Sequence, residues 1–178
     1  MNGSSLRFRV LIQIIASFSI WFSLPWISKI MTISPTIRFH FLQKISLHNR
    51  QLVKSTLAIL FRQEGKKLGE LRYIFVSDKR LLEINRQFLQ HDFYTDIITF
   101  PLSEPRQPIS GEIYISVDRV RDNARKYGNS MKEELLRVIF HGALHLCGYG
   151  DKTPLQEKKM RRLEEKYLQL YRVSTWNN

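Results

Sequence analysis

Phe140-His141-Gly142-Ala143-Leu144-His145-Leu146-Cys147-Gly148-Tyr149-Gly150-Asp151 places two histidines four residues apart inside an apolar run. On a helix, residues at i and i+4 leave the same face one turn apart. That spacing lets two imidazoles grip one metal ion. Gly148 and Gly150 let the chain leave the helix and turn back, and Asp151, ten residues after His141, offers an oxygen as third ligand. Three protein ligands with an open position describe a catalytic zinc site rather than a closed structural one. Paired histidines also occur as hydrogen-bonded core residues, but the glycine exit and Asp151 together favour metal. Gly142 stands where the zinc-peptidase signature His-Glu-x-x-His carries its glutamate. Without that proton acceptor, peptide hydrolysis loses its usual base.

Upstream, Ser130 is placed to cap a helix over Met131–Leu146, with Glu133 completing a capping box. Val117–Tyr127 reads as a helix with a charged outer face, closed by Gly128. Gly111–Ser116 and Thr95–Phe100 read as strands close enough to pair, the latter ended by Pro101, with a Pro- and Ser-rich loop over 102–110 between them. Earlier still, Ser77 caps a helix whose buried stripe is Leu81, Leu82, Ile84 and Phe88. Leu71–Val76 is a strand, Leu47–Gln63 a helix ended at Gly65, and Thr36–Phe41 a short strand with His40 on its exposed side. Downstream, a last helix runs from Pro154 to about Tyr171. Its basic face of Lys158, Lys159, Arg161, Arg162 and Lys166, balanced by Glu157, Glu164 and Glu165, reads equally as solvated or as facing RNA. The order of elements predicts a single α+β (α/β-like) domain, a mixed sheet of about four strands packed with helices, and a metal site on a C-terminal helix.

The 178 residues are 43% hydrophobic, enough for one sizeable core. The formal charge of +12 points to a polyanionic partner, nucleic acid first and an anionic membrane surface next. A single cysteine, Cys147, rules out an internal disulfide, fits a reducing compartment, and reads as a small buried apolar residue rather than a ligand. Residues 1–30 stand apart. Arg7 and Arg9 precede Val10–Ser28, which carries no charge. The stretch reads as a signal sequence, a minimal membrane span weakened by Gln13, Pro25 and its serines, or a segment ahead of a true start at Met31, the reading preferred. It holds three bases and no acid, so residues 31–178 keep a charge of +9.

His-Gly-Ala-Leu-His-Leu-Cys-Gly-Tyr with a ligand-type residue ten positions after the first histidine resembles the YbeY family of bacterial rRNA maturation factors. The resemblance extends through Asn85-Arg86-Gln87-Phe88, Thr95-Asp96-Ile97-Ile98-Thr99-Phe100-Pro101 and Gly111-Glu112-Ile113-Tyr114-Ile115-Ser116, in order and spacing, and covers Met31 to Tyr171. It implies a metal-dependent endoribonuclease specific for single strands, acting in rRNA maturation and ribosome quality control in the cytoplasm. The implied domain is 31–178, holding one Zn2+ through His141, His145 and Asp151.

Two departures qualify that expectation. The family carries a third histidine where this chain has Asp151, and a carboxylate there lowers the Lewis acidity of the ion and widens metal choice towards harder divalent ions. The family also carries an arginine where this chain has Leu89, which leaves Arg86 and His91 as candidates to meet RNA. The alternative function is a non-catalytic, metal-containing RNA-binding factor in ribosome assembly. The partners expected are rRNA precursors and ribosomal particles, with a membrane only if residues 1–30 are part of the protein, and no small-molecule cofactor. Asp96 is expected to form hydrogen bonds near the metal, and His91, Phe93 and Tyr94 offer either a stacking surface for unpaired bases or simple packing. No general base is identifiable.

Overall fold

A computed structural model describes residues 35–176. Residues 1–30, with their signal, span and start-site readings, lie outside the described residues. Along the chain run β1 (Thr36–Phe41), α1 (Arg50–Gln63), β2 (Leu68–Val76), α2 (Asp78–Ile84) continued by a π-helical turn (Asn85–Leu89), β3 (Ile97–Pro101), β4 (Ile109–Ser116), α3 (Val117–Tyr127), α4 (Met131–Leu146) and α5 (Pro154–Trp176). The four strands form one sheet in the order β1-β2-β4-β3. β1 and β4 lie parallel to β2, while β3 joins β4 antiparallel with Ile97 opposite Ile115. This is the mixed four-stranded α+β sheet that the sequence predicts.

Alternation along the strands divides the core between the two faces. Ile37, Leu71, Tyr73, Phe75, Ile113 and Ile115 meet buried residues of α1, α4 and α5 in the larger cluster. Ile74, Val76 and Ile98 meet Leu81 and Ile84 of α2 in the smaller one. Helix α4 is buried along most of its length, so the two histidines are carried on an element fixed by the main core. The buried Tyr73 hydroxyl donates to the Ile139 carbonyl of α4 at 3.1 Å, a further tie between sheet and helix.

Three local expectations are corrected. The first helix begins at Arg50 rather than Leu47, because Asn49 adopts a left-handed conformation, although Leu47 is still buried. β2 starts at Leu68, three residues early, where it pairs with Ile109 ahead of a register shift. Phe88 does not join the buried stripe of α2. The i→i+5 bonding of the π turn rotates the face that follows, so Asn85 is buried while Phe88 stays 61% exposed.

Candidate metal centre

Helix α4 brings the paired histidines together as their spacing requires. Their Nε2 atoms are 2.7 Å apart, and Asp151 Oδ2 lies 3.6 Å from that of His141 and 3.5 Å from that of His145. The three ligand atoms fall within 4.8 Å of one another. An ion with tetrahedral bonds of about 2.0–2.1 Å spans ligand atoms roughly 3.3 Å apart.

The far side of each ring fixes its tautomer. His141 Nδ1 is 2.7 Å from Glu164 Oε1, and His145 Nδ1 is 2.9 Å from the Tyr149 carbonyl. Both partners accept, so each Nδ1 carries a proton, and in the neutral form each ring turns an Nε2 lone pair inward. Two lone pairs and a carboxylate oxygen converging at these distances repel one another unless a proton or a cation joins them. The donor set therefore fits a divalent metal.

Asp151 reaches the site because of how α4 ends. Gly148, at φ 100°, permits a left-handed exit. Its N–H donates to the His145 carbonyl and that of Tyr149 to the Leu144 carbonyl, the paired bonds of a Schellman end. The turn holds Tyr149 where its carbonyl meets His145. The Tyr149 hydroxyl donates to Glu64, beyond the end of α1, at 2.5 Å, which anchors the exit from the opposite side.

Glu164 on α5 is the residue that the sequence reading misplaced. In the sequence it stands among the acids of a basic helix face, yet it is only 6% exposed. The signal was its phase: Met160, Leu163, Tyr167, Leu168 and Tyr171 form the buried stripe of α5, and Glu164 falls within it. Arg137, one turn before His141, lies 3.6 Å from Glu164 and 3.7 Å from the buried Glu134 and offsets part of their charge. Burial depresses the His141 pKa, but the Glu164 hydrogen bond and charge, with smaller pulls from Asp96 and Asp151, reverse it and leave the value raised. For His145, burial and the neighbouring His141 charge prevail over the Tyr149 carbonyl and Asp151, and the value is lowered.

His141 and Asp151 open on a cleft of about 420 Å³. Asp96 lines it too, its Oδ2 accepting from Asn123 Nδ2 at 3.2 Å, the hydrogen-bonding position expected of it. Asp96, Glu134, Asp151, Glu157 and Glu164 line the cleft together with Arg137 and Arg161, which pair with Glu134, Glu164 and Glu157. A phosphodiester enters such an excess of carboxylates only if a cation offsets it. Arg86 and His91 are not among the lining residues: Arg86 Nε pairs with Asp92 at 2.6 Å, and His91 stacks on Phe93. Leu89 points no charge anywhere and is exposed. Gly142 packs onto the sheet, where a Cβ would come within 2.7 Å of Ile97 and 2.8 Å of Ile113. A glutamate there would be directed into the core rather than the cleft. Cys147 is buried and takes no part in the ligand cluster.

Comparison with known proteins finds one family. The family model described as Endoribonuclease YbeY matches residues 39–172. A Cytophaga hutchinsonii protein named Endoribonuclease YbeY is 48% identical over 124 residues, which is 70% of this chain and 87% of the relative. A Flavobacterium johnsoniae protein of the same name is 41% identical over 137 residues, 77% of this chain and 98% of the relative. The solution structure of TM1509 from Thermotoga maritima superposes with a TM-score of 0.53 at 32% identity, covering 79% of this chain and 92% of that one.

Proposed function

The chain belongs to the YbeY endoribonuclease family, and from that premise we propose that residues 31–178 form a metal-dependent endoribonuclease that cuts unpaired RNA during the maturation and quality control of ribosomal RNA. The observation that carries the reading is the convergence of His141, His145 and Asp151 on one point with both outer ring nitrogens already committed to acceptors. These three residues would hold one divalent ion, taken to be zinc, with Asp151 also accommodating harder ions. When bound, the ion supplies Lewis acidity and positive charge at the phosphate to be cut. The chain's own residues do the remainder. Glu164 and the Tyr149 carbonyl hold the imidazoles in their metal-binding tautomers, and Asp96 and Asn123 shape the wall of the cleft.

Arg86 and His91 belong, in this proposal, to the outer path of the RNA, since neither lines the cleft. Precursor ribosomal particles are the expected setting and the cytoplasm the expected compartment; among the described residues no helix is long and apolar enough to cross a membrane. A non-catalytic assembly factor is not favoured by relatives that bear the endoribonuclease name. The test measures metal content and cleavage of an unpaired RNA by the full-length chain against His145→Ala and Asp151→Ala. Both variants should lose bound metal and cleavage together. Full metal occupancy in Asp151→Ala would remove Asp151 from the ligand set, and a metal-loaded wild type that binds RNA without cutting it would restore the assembly-factor reading.

A further inference from the structure

The loop that leads into β3 leaves two neighbouring rings at the surface. Phe93 and Tyr94 are 58% and 52% exposed, and neither belongs to a core cluster. Single exposed aromatics are ordinary, but Tyr94 is built into a platform. The Arg119 guanidinium lies over its ring, with Cζ 4.6 Å from the centroid. Arg119 is itself held: its Nε lies 3.0 Å from both oxygens of Asp78, and its Nη2 2.9 Å from Oδ2. Asp78 Oδ1 also accepts from the buried Ser116 hydroxyl at 3.1 Å, so the cation is fixed to the ends of β4 and α2 before anything binds. Beside this platform the His91 and Phe93 rings stack at 5.1 Å between centroids.

The platform is close along the chain to residues that line the metal cleft. Asp96, two residues beyond Tyr94, lines the cleft with His141 and Asp151. Two residues of extended chain span at most about 7 Å. Asn123, which holds Asp96, is one helical turn along α3 from Arg119. A flat ring backed by a fixed cation is the arrangement that takes a nucleobase on its open face, and it tolerates any base because every base has a π face.

Building on the endoribonuclease reading, we propose that Tyr94, backed by Arg119, is a stacking subsite for an unpaired base beside the phosphate to be cut, with His91 and Phe93 receiving the next base along the strand. A base inside a duplex is already stacked on both faces and cannot reach the ring, so the subsite gives the enzyme a physical means of preferring unpaired RNA.

The test uses the metal-loaded full-length chain and a fluorescein-labelled twelve-nucleotide RNA without self-pairing, together with a set of the same RNA carrying one abasic position each. Tyr94→Ala should raise KM about five- to a hundredfold with kcat within about threefold, and Tyr94→Phe should restore wild-type values. With wild type, an abasic position next to the cut should weaken binding by a similar factor, and Tyr94→Ala should erase that penalty. If wild type cuts the RNA and Tyr94→Ala leaves KM and the abasic pattern unchanged, the subsite is wrong while the endoribonuclease reading stands. If metal-loaded wild type neither binds nor cuts the RNA, the endoribonuclease reading fails and the subsite falls with it.

Discussion

Glu164 shows how much one buried carboxylate contributes at this site. Its oxygen fixes the proton on His141 Nδ1 and would make the imidazole a more basic ligand for a bound metal. Glu164→Gln keeps an acceptor but removes the charge. Metal affinity should fall about 10- to 100-fold, read by competition with a chromophoric chelator. Because Glu164 is what raises the His141 pKa against burial, the variant should also retain its weaker metal binding to lower pH. An unshifted acid limb would mean the carboxylate acts only as a spacer. Cys147 gives a prediction of opposite character. Burial, with a smaller push from Glu64, moves its thiol from the ordinary 9.0 up to about 12, so at pH 8 only about one in ten thousand is thiolate. Native protein should resist a disulfide-exchange reagent at pH 8 for hours, whereas denatured protein should react within seconds to minutes. The sign for stability follows. Above about pH 9 the unfolded thiol ionises while the folded one keeps its proton, so this contribution is intact below 9 and is lost as pH rises towards 12.

Among the elements, α4 carries the site because one helix satisfies three demands at once. Its apolar residues bury it against the sheet, the four-residue spacing aligns the imidazoles, and Gly142 lets the helix approach β3 and β4 closely. Gly142→Ala gains about 1 kcal/mol of helix propensity, but its methyl meets a branched carbon of Ile113 that cannot swing away. Overpacking of this kind costs about 1–3 kcal/mol, so the variant should be less stable by up to about 2 kcal/mol in urea unfolding, with metal affinity weakened as the helix shifts. An unchanged midpoint would show that the contact is relieved at no cost. Helix ends were legible in part. Ser130 does accept from the Glu133 N–H, but the Glu133 carboxylate goes to Arg172 instead of closing the capping box. The complete box is at the start of α5, where Gln156 accepts from the Thr153 N–H and Thr153 accepts from that of Gln156. Thr153 and Gln156 have the spacing for it in the sequence. The π turn was not legible, because residues 78–88 have ordinary helical periodicity, while Asn85 inside the turn donates to the distant Phe93 carbonyl at 2.8 Å.

At the scale of the whole molecule, the basic excess and the acidic cleft are complementary. The chain carries +12 overall, yet carboxylates outnumber arginines around the metal point. RNA is attracted to the outer surface at long range and is admitted to the cleft only over a bound cation. Affinity for an unpaired RNA should therefore fall steeply with salt, each phosphate contact adding about 0.7 to the slope of log K against log salt. A flat dependence would leave the basic surface without a role in binding. Metal should also stabilise the fold, because it ties α4 to the segment that follows it. At a hundredfold excess over Kd the gain is about 2.7 kcal/mol, so a chelator should lower Tm by roughly 5–10 °C in a protein of this size. An unaltered Tm would mean the three ligands are not joined by an ion.

The sequence by itself determined the succession of strands and helices, the α4 histidine pair and its glycine exit, because these rest on periodicity, capping and conformational freedom within a few residues of chain. It also determined the loss of the peptidase glutamate, which is a matter of residue identity. Only the tertiary structure decided that Glu164 and His141 are partners 23 residues apart, that Phe88 turns outward, and that Tyr94 lies beneath Arg119. Those facts depend on how α5, the π turn and α3 pack against the sheet. A carboxylate one position along a helix is solvated or buried according to what covers it, and no local pattern specifies the covering element.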